Sequence, residues 1–144
     1  MTEELAELVP GQLATYSRTI KDADIALFAL ITGDAHPLHL DQHYAATTAF
    51  GRRVVPVTLI SGVIEAALAI TIPGMQGMVR CQSLEYPAPL FVDETITVVI
   101  EHCFTNTADA RIECKVTATS AAGVVVARGT THLTIANLPP PLAE

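Results

Sequence analysis

The spacing of apolar residues changes once along the chain, and the change separates a mainly helical first half from a second half of strands. Up to about residue 71, apolar residues recur every three or four positions, which is the period of a helix with a buried face. From residue 79 onward they alternate with polar residues, which is the period of a strand with one buried face. This order of elements predicts an α+β fold.

The first two predicted elements are a strand over Gln12–Ile20 and a helix over Lys21–Thr32. The helix has apolar residues at helical spacing along one side. Either Asp22 or Asp24 could cap its start, because a short acidic side chain can accept from the free N–H groups there. Gly33 is a suitable end, since glycine adopts the left-handed conformation that closes many helices.

Two further helices are predicted before the strands begin. Asp41 stands where an N-cap belongs before a helix over 42–50, and the Gly-Arg-Arg of 51–53 breaks that helix. Pro56 opens a longer helix that runs to about Ile70, since the first helical turn does not need the N–H that proline lacks. Apolar side chains occupy nearly its whole circumference, so we expect protein to enclose it. The small residues that would let a sheet approach closely are Ser61, Gly62, Ala66, Ala67 and Ala69.

The second half predicts four strands, Val79–Tyr86, Thr95–Phe104, Ala110–Ser120 and Val124–Ile135, of which the last three should form an antiparallel meander. The connections at 105–109 and 121–123 are short enough for hairpin turns. One long apolar helix wrapped by an antiparallel sheet satisfies both halves, with the chain between the first strand and the long helix covering much of the remaining helix surface.

Composition and charge narrow the class of protein. A chain of 144 residues, half of them hydrophobic, suits one domain with a large core. We take 1–144 as that domain, with its core at about 10–136 and an irregular tail at 137–144. A net charge of −7 with only eight Lys and Arg excludes a broad phosphate-binding face, so no nucleic-acid partner is expected.

The location and the metal content follow from local patterns. Residues 1–9 lack a basic region before an apolar core, so they are not a secretory signal. The longest apolar stretch, 54–72, contains Pro, Thr, Ser and Glu and is a poor membrane span. The three cysteines show no CxxC pair and no metal spacing, which predicts buried, reduced thiols in a cytoplasmic protein without a metal site.

The segment 33–39, Gly-Asp-Ala-His-Pro-Leu-His, carries the clearest chemical signal. It places Asp34 and His39 five residues apart, and these side chains are among those most used to move protons near neutral pH. On a continuous helix they would point to different faces, but Pro37 disfavours that helix. The segment therefore predicts a bend that holds both side chains around one small molecule, for which water is the obvious candidate.

This segment and the residues after it resemble the MaoC-like hydratases and dehydratases, which include the R-specific enoyl-CoA hydratases. The family pattern is Gly-Asp-x-Asn-Pro-aliphatic-His-x-Asp, then an aromatic-Ala pair, then Phe-Gly and a hydrophobic run into a buried helix. Here 33–41 is followed by Tyr-Ala at 44–45, Phe-Gly at 50–51 and Val55. The resemblance covers about residues 10–136 and implies a hot-dog fold, usually a homodimer whose two sheets join edge to edge.

The resemblance also implies a reaction. Asp34 and His39 would activate the water that adds to a trans-2-enoyl thioester, or remove it in the reverse direction. Asp34 is the favoured base, and His39 orients the water and donates a proton, although the two roles could be exchanged. A backbone N–H at the start of the buried helix would hold the thioester oxygen. No cofactor or metal is implied beyond the CoA or phosphopantetheine of the substrate.

Two positions depart from the family pattern. The family Asn is His36 here, which we interpret as a structural residue that could replace the Asn as a hydrogen-bond donor or alter the local charge. The family commonly reads His-Gly-Met or Pro-Gly-Met at the helix start, whereas this chain has Pro-Val-Thr at 56–58. The expected oxyanion donor is therefore the N–H of Val57, whose β-branched side chain could crowd the thioester or change the approach of the backbone.

Three other residues are candidate substrate contacts with structural alternatives. Arg52 and Arg53 could meet the phosphates of CoA or of a carrier-protein arm, but a solvated turn explains them equally. Ser61 could touch the substrate, and a close helix–sheet contact is the alternative interpretation.

The leading function is a hydro-lyase acting on an acyl-CoA or an acyl-carrier-protein substrate, including a specialised carrier-bound one. A hot-dog thioesterase and a non-catalytic acyl-binding subunit of a heteromeric dehydratase are the alternatives. The departures at His36 and Val57 motivate the second of these.

Overall fold

A five-stranded antiparallel sheet forms the frame of the structure, which is a computed structural model describing residues 9–71, 77–106, 108 and 111–135. In chain order the elements are β1 (Leu13–Thr19), α1 (Asp22–Thr32), α2 (Pro37–Leu40), α3 (Gln42–Ala46), α4 (Val57–Thr71), β2 (Gly77–Glu85), β3 (Thr95–Asn106), β4 (Arg111–Ser120) and β5 (Val125–Ile135). The order of strands across the sheet is β1-β3-β4-β5-β2. The predicted α+β class and the meander, which is β3-β4-β5, are confirmed. The N-terminal segment 1–8 and the predicted irregular tail 137–144 lie outside the described residues.

The alternating pattern of the strands places their apolar residues on the sheet face that α4 covers. On β3 and β4 every second residue is buried, from Ile96 to Ile100 and from Ile112 to Ala118. Helix α4 meets this face with its own buried stripe, which consists of Ile60, Val63, Ile64, Ala67 and Leu68. The core therefore lies between one helix and one sheet, as the two sequence periods predicted.

The expectation that protein encloses α4 is wrong for the single chain. Val57 and Ile70 are 45% and 57% exposed, because the sheet covers only one side of the helix. On the other side, a cleft of about 280 Å³ lies between α1 and α4. Of the small residues expected to face the sheet, Ala67 is buried and Ser61 reaches β2, whereas Gly62, Ala66 and Ala69 are exposed.

Helix ends differ from prediction by a few residues, for local reasons. Lys21 is the N-cap of α1, and Asp24, one turn later, accepts from the Lys21 N–H at 2.8 Å. That hydrogen bond, with the nearby Arg18, holds the pKa of Asp24 below its usual value. Asp41 caps α3 as predicted, but α3 ends at Ala46 and not at residue 50. Its last turn loosens because the next two residues are threonines whose hydroxyls donate back to carbonyls of the helix.

The cysteines are free, as predicted, but only Cys114 is buried. Cys81 and Cys103 are exposed on their strands, so the prediction of buried thiols is wrong for them. Burial raises the pKa of the Cys114 thiol to about 11.

The difference in burial among the three cysteines predicts how many thiols react in the native protein. In native protein at pH 8, a chromogenic disulfide reagent should react with Cys81 and Cys103 within minutes, because their thiols are accessible. Cys114 should react only after unfolding in guanidinium. Rapid native titration of all the thiols would contradict the burial of Cys114.

Candidate functional site

The bend predicted around Pro37 is present, and it is built from two adjacent helix ends. Gly33 closes α1 in the left-handed conformation with φ of 78°. His36 then caps α2, its ring Nδ1 accepting from the N–H of Leu38 at 3.1 Å, with Pro37 as the first helical residue. The chain thus leaves one helix at Asp34 and enters the next before His39, which turns both side chains to a shared position.

Asp34 and His39 face each other across a gap. Nε2 of His39 lies 4.0 Å from Oδ2 of Asp34, too far for a direct hydrogen bond. On the other side of the ring, Nδ1 of His39 is 2.6 Å from the carbonyl oxygen of Val54. Because a carbonyl only accepts, Nδ1 carries a hydrogen and Nε2 is the atom directed at Asp34. The His39 side chain is 16% exposed and that of Asp34 is 41% exposed, so the pair is open to solvent on the carboxylate side.

Backbone contacts hold the carboxylate in place. Oδ1 of Asp34 accepts from the N–H of His36 at 3.3 Å, which leaves Oδ2 directed towards His39. The Asp34 N–H donates to the hydroxyl of Thr32 at 3.1 Å, and that hydroxyl donates to the Phe28 carbonyl at 2.7 Å. The reactive end of the bend is therefore anchored to the last turn of α1.

His36 has the structural position expected of it. Its ring lies 5.9 Å from the ring of His39 and 6.1 Å from that of Tyr44, between centroids. Since its Nδ1 accepts from the Leu38 N–H, it fixes the start of α2 as an acceptor. The expectation that it could serve as a donor does not describe this contact.

The two arginines have different surroundings. Arg53 is largely buried, with a side chain 16% exposed. Its Nε donates to the His39 carbonyl at 2.8 Å and its Nη2 to Asp22 at 2.5 Å, so it ties α2 to α1. Arg52 lies over the ring of Phe91 at 3.9 Å from the centroid, donates to Glu94 at 3.2 Å and remains half exposed. Of the two, only Arg52 presents its guanidinium to solvent.

Val57 and Ser61 lie on the first two turns of α4. Val57 is the first residue of the helix, and within the described part of the chain the N–H groups of Val57 and Thr58 have no hydrogen-bond partner. Val54, the residue that binds the His39 ring, lies three positions before this helix start. Ser61 donates to Oε1 of Gln82 on β2 at 2.5 Å, which is the helix–sheet contact predicted as its alternative role.

Several residues that organise the site have no signal in the sequence. The Val54 carbonyl, Asp22 and Gln82 act through contacts between segments distant in the chain, or through a backbone atom that every residue has. Among the described residues, no cluster of three or more His, Cys, Asp or Glu is placed to hold a metal ion. In the same part of the chain, no helix has the length and apolarity needed to span a membrane.

Comparison with known proteins identifies a matching family model and relatives with related names. The family model described as "MaoC like domain" matches residues 7–126. The (R)-specific enoyl-CoA hydratase of Rhodospirillum rubrum is 35% identical over 94 residues, which are 65% of this chain and 65% of that protein. The enzyme of the same name from Aeromonas caviae is 37% identical over 91 residues, 63% of this chain and 68% of that one. The sequence matches thus span about two thirds of each relative.

A solved structure extends the likeness to almost the whole chain. An R-hydratase from Pseudomonas aeruginosa superposes with a TM-score of 0.85 and 31% identity, covering 97% of this chain and 96% of that chain.

Proposed function

The chain belongs to the MaoC-like domain family and has the hot-dog fold, and from that premise we propose that it is a hydro-lyase for acyl thioesters. It adds water reversibly to a trans-2-enoyl thioester and gives a 3-hydroxyacyl thioester. The observation that carries this proposal is the 4.0 Å gap between Asp34 and a His39 ring whose other nitrogen is held by Val54. The names of the hydratase relatives support the same chemistry.

One water molecule fits between the two side chains. Two hydrogen bonds of about 2.8 Å that meet at an angle near 90° span about 4 Å, which is close to the separation of Oδ2 and Nε2. In the hydration direction, ionised Asp34 accepts one O–H of this water and protonated His39 donates to its oxygen. Asp34 takes the proton as the water oxygen bonds to C3, and His39 delivers its Nε2 proton to C2. Transfer of the proton from Asp34 to His39 restores the starting pair.

The electron pair of the C2–C3 double bond moves into the thioester carbonyl as the new bond forms. The oxygen gains negative charge and needs a donor, for which we propose the Val57 N–H at the start of α4. A helix start offers free N–H groups and a favourable dipole. Since the backbone supplies this donor, the valine side chain changes the shape of the site but not the hydrogen bond.

We assign the two arginines different roles. Arg52, half exposed, contacts a phosphate of CoA or of a carrier-protein arm. Arg53 is a positioning residue, because its guanidinium already binds the His39 carbonyl and Asp22. The reaction needs no cofactor beyond the CoA or phosphopantetheine of the substrate.

The two roles predict different kinetic defects. Arg52→Gln should raise KM for crotonyl-CoA about fivefold, and the increase should vanish with crotonyl-pantetheine, which lacks the nucleotide phosphates. Arg53→Gln should instead lower kcat with either substrate, since it loosens the turn that carries His39. If Arg53→Gln affects only KM for the CoA ester, the assignment is reversed.

We also propose that the chain is a single cytoplasmic domain that forms a homodimer. The exposed face of α4 and an edge strand, β2, offer apolar and backbone surfaces that a second copy would cover. Light scattering on the purified protein tests the stoichiometry.

The decisive test of function is the loss of enoyl-thioester absorbance when purified protein meets crotonyl-CoA and longer enoyl-CoAs. Hydration without thiol release supports the hydro-lyase. Release of free CoA from saturated acyl-CoA would make it a thioesterase. Tight binding of every enoyl-CoA without turnover would favour the non-catalytic acyl-binding subunit. The observation behind this alternative is the exposed Val57 at the start of α4.

A further inference from the structure

One row of side chains across the inner face of the sheet is polar, in a face that is otherwise mainly apolar. The register places Gln82 on β2 beside Thr131 on β5, Thr131 beside Cys114 on β4, and Cys114 beside His102 on β3. The next inward residue of β5 is the buried Leu133. We call these four residues, Gln82, Thr131, Cys114 and His102, the polar row.

The polar row contains three side-chain atoms that lack a hydrogen-bond partner within the described part of the chain. They are Nε2 of Gln82, Oγ1 of Thr131 and Nδ1 of His102, and each is inaccessible to solvent. Leaving such an atom unpaired destabilises the folded chain. Reversing the Gln82 amide does not help, because Ser61 binds only one of its two polar atoms. These three atoms therefore need a partner other than the described residues, either an ordered water or a ligand.

The two ends of the row have different surroundings. At the His102 end, a cavity of about 30 Å³ lined by Gln12, Thr71 and Cys114 has room for an ordered water. At the other end, Ser61 and Gln82 are both partly exposed, so this end lies close to the surface beside α4. A ligand reaches the row from this end when the Gln82 side chain turns aside, because Nε2 of Gln82 and Oγ1 of Thr131 are inaccessible to solvent while it is in place.

That end lies along the path that an acyl chain would take. Under the proposed function, the thioester carbonyl lies at the Val57 N–H, and Ser61 is four residues further along α4, about 6 Å on the helix axis. The acyl carbons beyond C3 would therefore pass Ser61 and Gln82.

We propose that Ser61, Gln82 and Thr131 form a specificity subsite for an uncharged oxygen function, a hydroxyl group, on the acyl chain beyond C3. This subsite rests on the proposed function for the placement of the thioester. A hydroxyl oxygen accepts from the Gln82 amide, and its hydrogen is donated to Thr131, which pairs both orphaned atoms at this end.

A negative charge beside the subsite limits which acyl chains it would accept. Glu65 lies one helical turn beyond Ser61 on the same side of α4, and its side chain has no ion pair in the described part of the chain. A carboxylate at the end of the acyl chain would meet this like charge, whereas a hydroxyl would not. The subsite therefore selects a hydroxyacyl chain and disfavours a dicarboxylic one.

Calorimetric binding of saturated CoA esters tests the subsite without requiring turnover. The ligands are hexanoyl-CoA, its 4-, 5- and 6-hydroxy derivatives, and adipoyl-CoA as the carboxylate. At least one hydroxy ester should bind about tenfold more tightly than hexanoyl-CoA, and adipoyl-CoA should bind more weakly than hexanoyl-CoA. Equal or weaker binding of every hydroxy ester would overturn the proposal and leave buried water as the partner of the row.

Two variants locate the effect, and a neighbouring threonine supplies the matched control. Thr131→Val removes only the hydroxyl, and Ser61→Ala frees the Gln82 amide from its partner. Each should reduce the preference for the hydroxy ester to less than about threefold. Thr130→Val, the neighbouring residue on the outer face of β5, should keep the wild-type preference. A preference that survives both Thr131→Val and Ser61→Ala would refute the assignment, and Ser61→Ala alone decides if Thr131→Val does not fold.

The outcomes separate this subsite from the proposed function. Hydration of crotonyl-CoA together with equal binding of the hydroxy and plain esters would leave the hydro-lyase and remove the subsite. A hydroxyl preference in a protein that hydrates no enoyl-CoA would keep the subsite and remove the hydro-lyase.

Discussion

Asp34→Asn should lower kcat/KM for the hydration of crotonyl-CoA about a thousandfold. The amide keeps the size of the carboxylate and can still accept from the His36 N–H, so the bend should remain. It cannot take a proton from the water, and general base catalysis of this kind contributes about 10²–10⁴ in rate. Initial rates from the loss of enoyl-thioester absorbance, with kcat and KM separated, measure the effect.

His39→Asn should have a comparable effect for a different reason. The amide nitrogen of asparagine lies where Nδ1 lies and can donate to the Val54 carbonyl, but asparagine has no second nitrogen that donates to water and then delivers a proton to C2. Because the two residues act as one unit, the double variant should be little worse than either single variant. Additive losses would indicate that they act in separate steps.

The chain provides a matched control for the carboxylate. Asp41 lies seven residues after Asp34, and its Oδ1 accepts from the N–H groups of His43 and Tyr44. Asn caps helices about as well as Asp. Asp41→Asn should therefore leave the free energy of unfolding nearly unchanged and keep kcat/KM within about twofold of the wild-type value. If Asp34→Asn were as active as Asp41→Asn, Asp34 would be no more than a turn residue.

Local patterns were sufficient to predict the elements, and the reason is visible in particular residues. The alternation of Ile112 and Glu113 needs only the geometry of a strand, and the cap at Asp41 needs only three residues of chain. The bend is also local, because Gly33 ends one helix and Pro37 begins the next. The sequence resemblance to the MaoC-like family, and with it the hot-dog fold, is confirmed by the family match and by the solved structure.

Contacts between distant segments could not be predicted in the same way. Nδ1 of His39 binds the carbonyl of Val54, fifteen residues later, and a carbonyl has no sequence signature. Arg53 appeared as a surface cation, but its contact with Asp22, 31 residues earlier, depends on how α1 and α2 pack. The polar row likewise needs the register of four strands, which alternation alone leaves open.

Gly129→Ala should destabilise the protein by about 3 kcal/mol or more. A Cβ atom at this position would overlap the backbone oxygen of Ser83 and lie 3.0 Å from Cα of Leu84, so the strands would have to move apart. The displaced strand is β2, an edge strand whose only neighbour among the described strands is β5. Urea unfolding followed by circular dichroism, at one fixed protein concentration, gives the change in free energy.

Gly62→Ala is the control for the loss of glycine itself. Gly62 lies inside α4, and a Cβ atom there would have no neighbouring atom within 4 Å, so alanine adds helix propensity without a clash. This variant should gain about 1 kcal/mol of stability, opposite in sign to Gly129→Ala.

Displacement of β2 would also carry Gln82 away from Ser61 and Thr131. Folded Gly129→Ala should therefore lose the hydroxyl preference of the subsite, whereas Gly62→Ala keeps it. If the two substitutions had similar effects on unfolding, the close approach of β2 and β5 at Gly129 would be wrong.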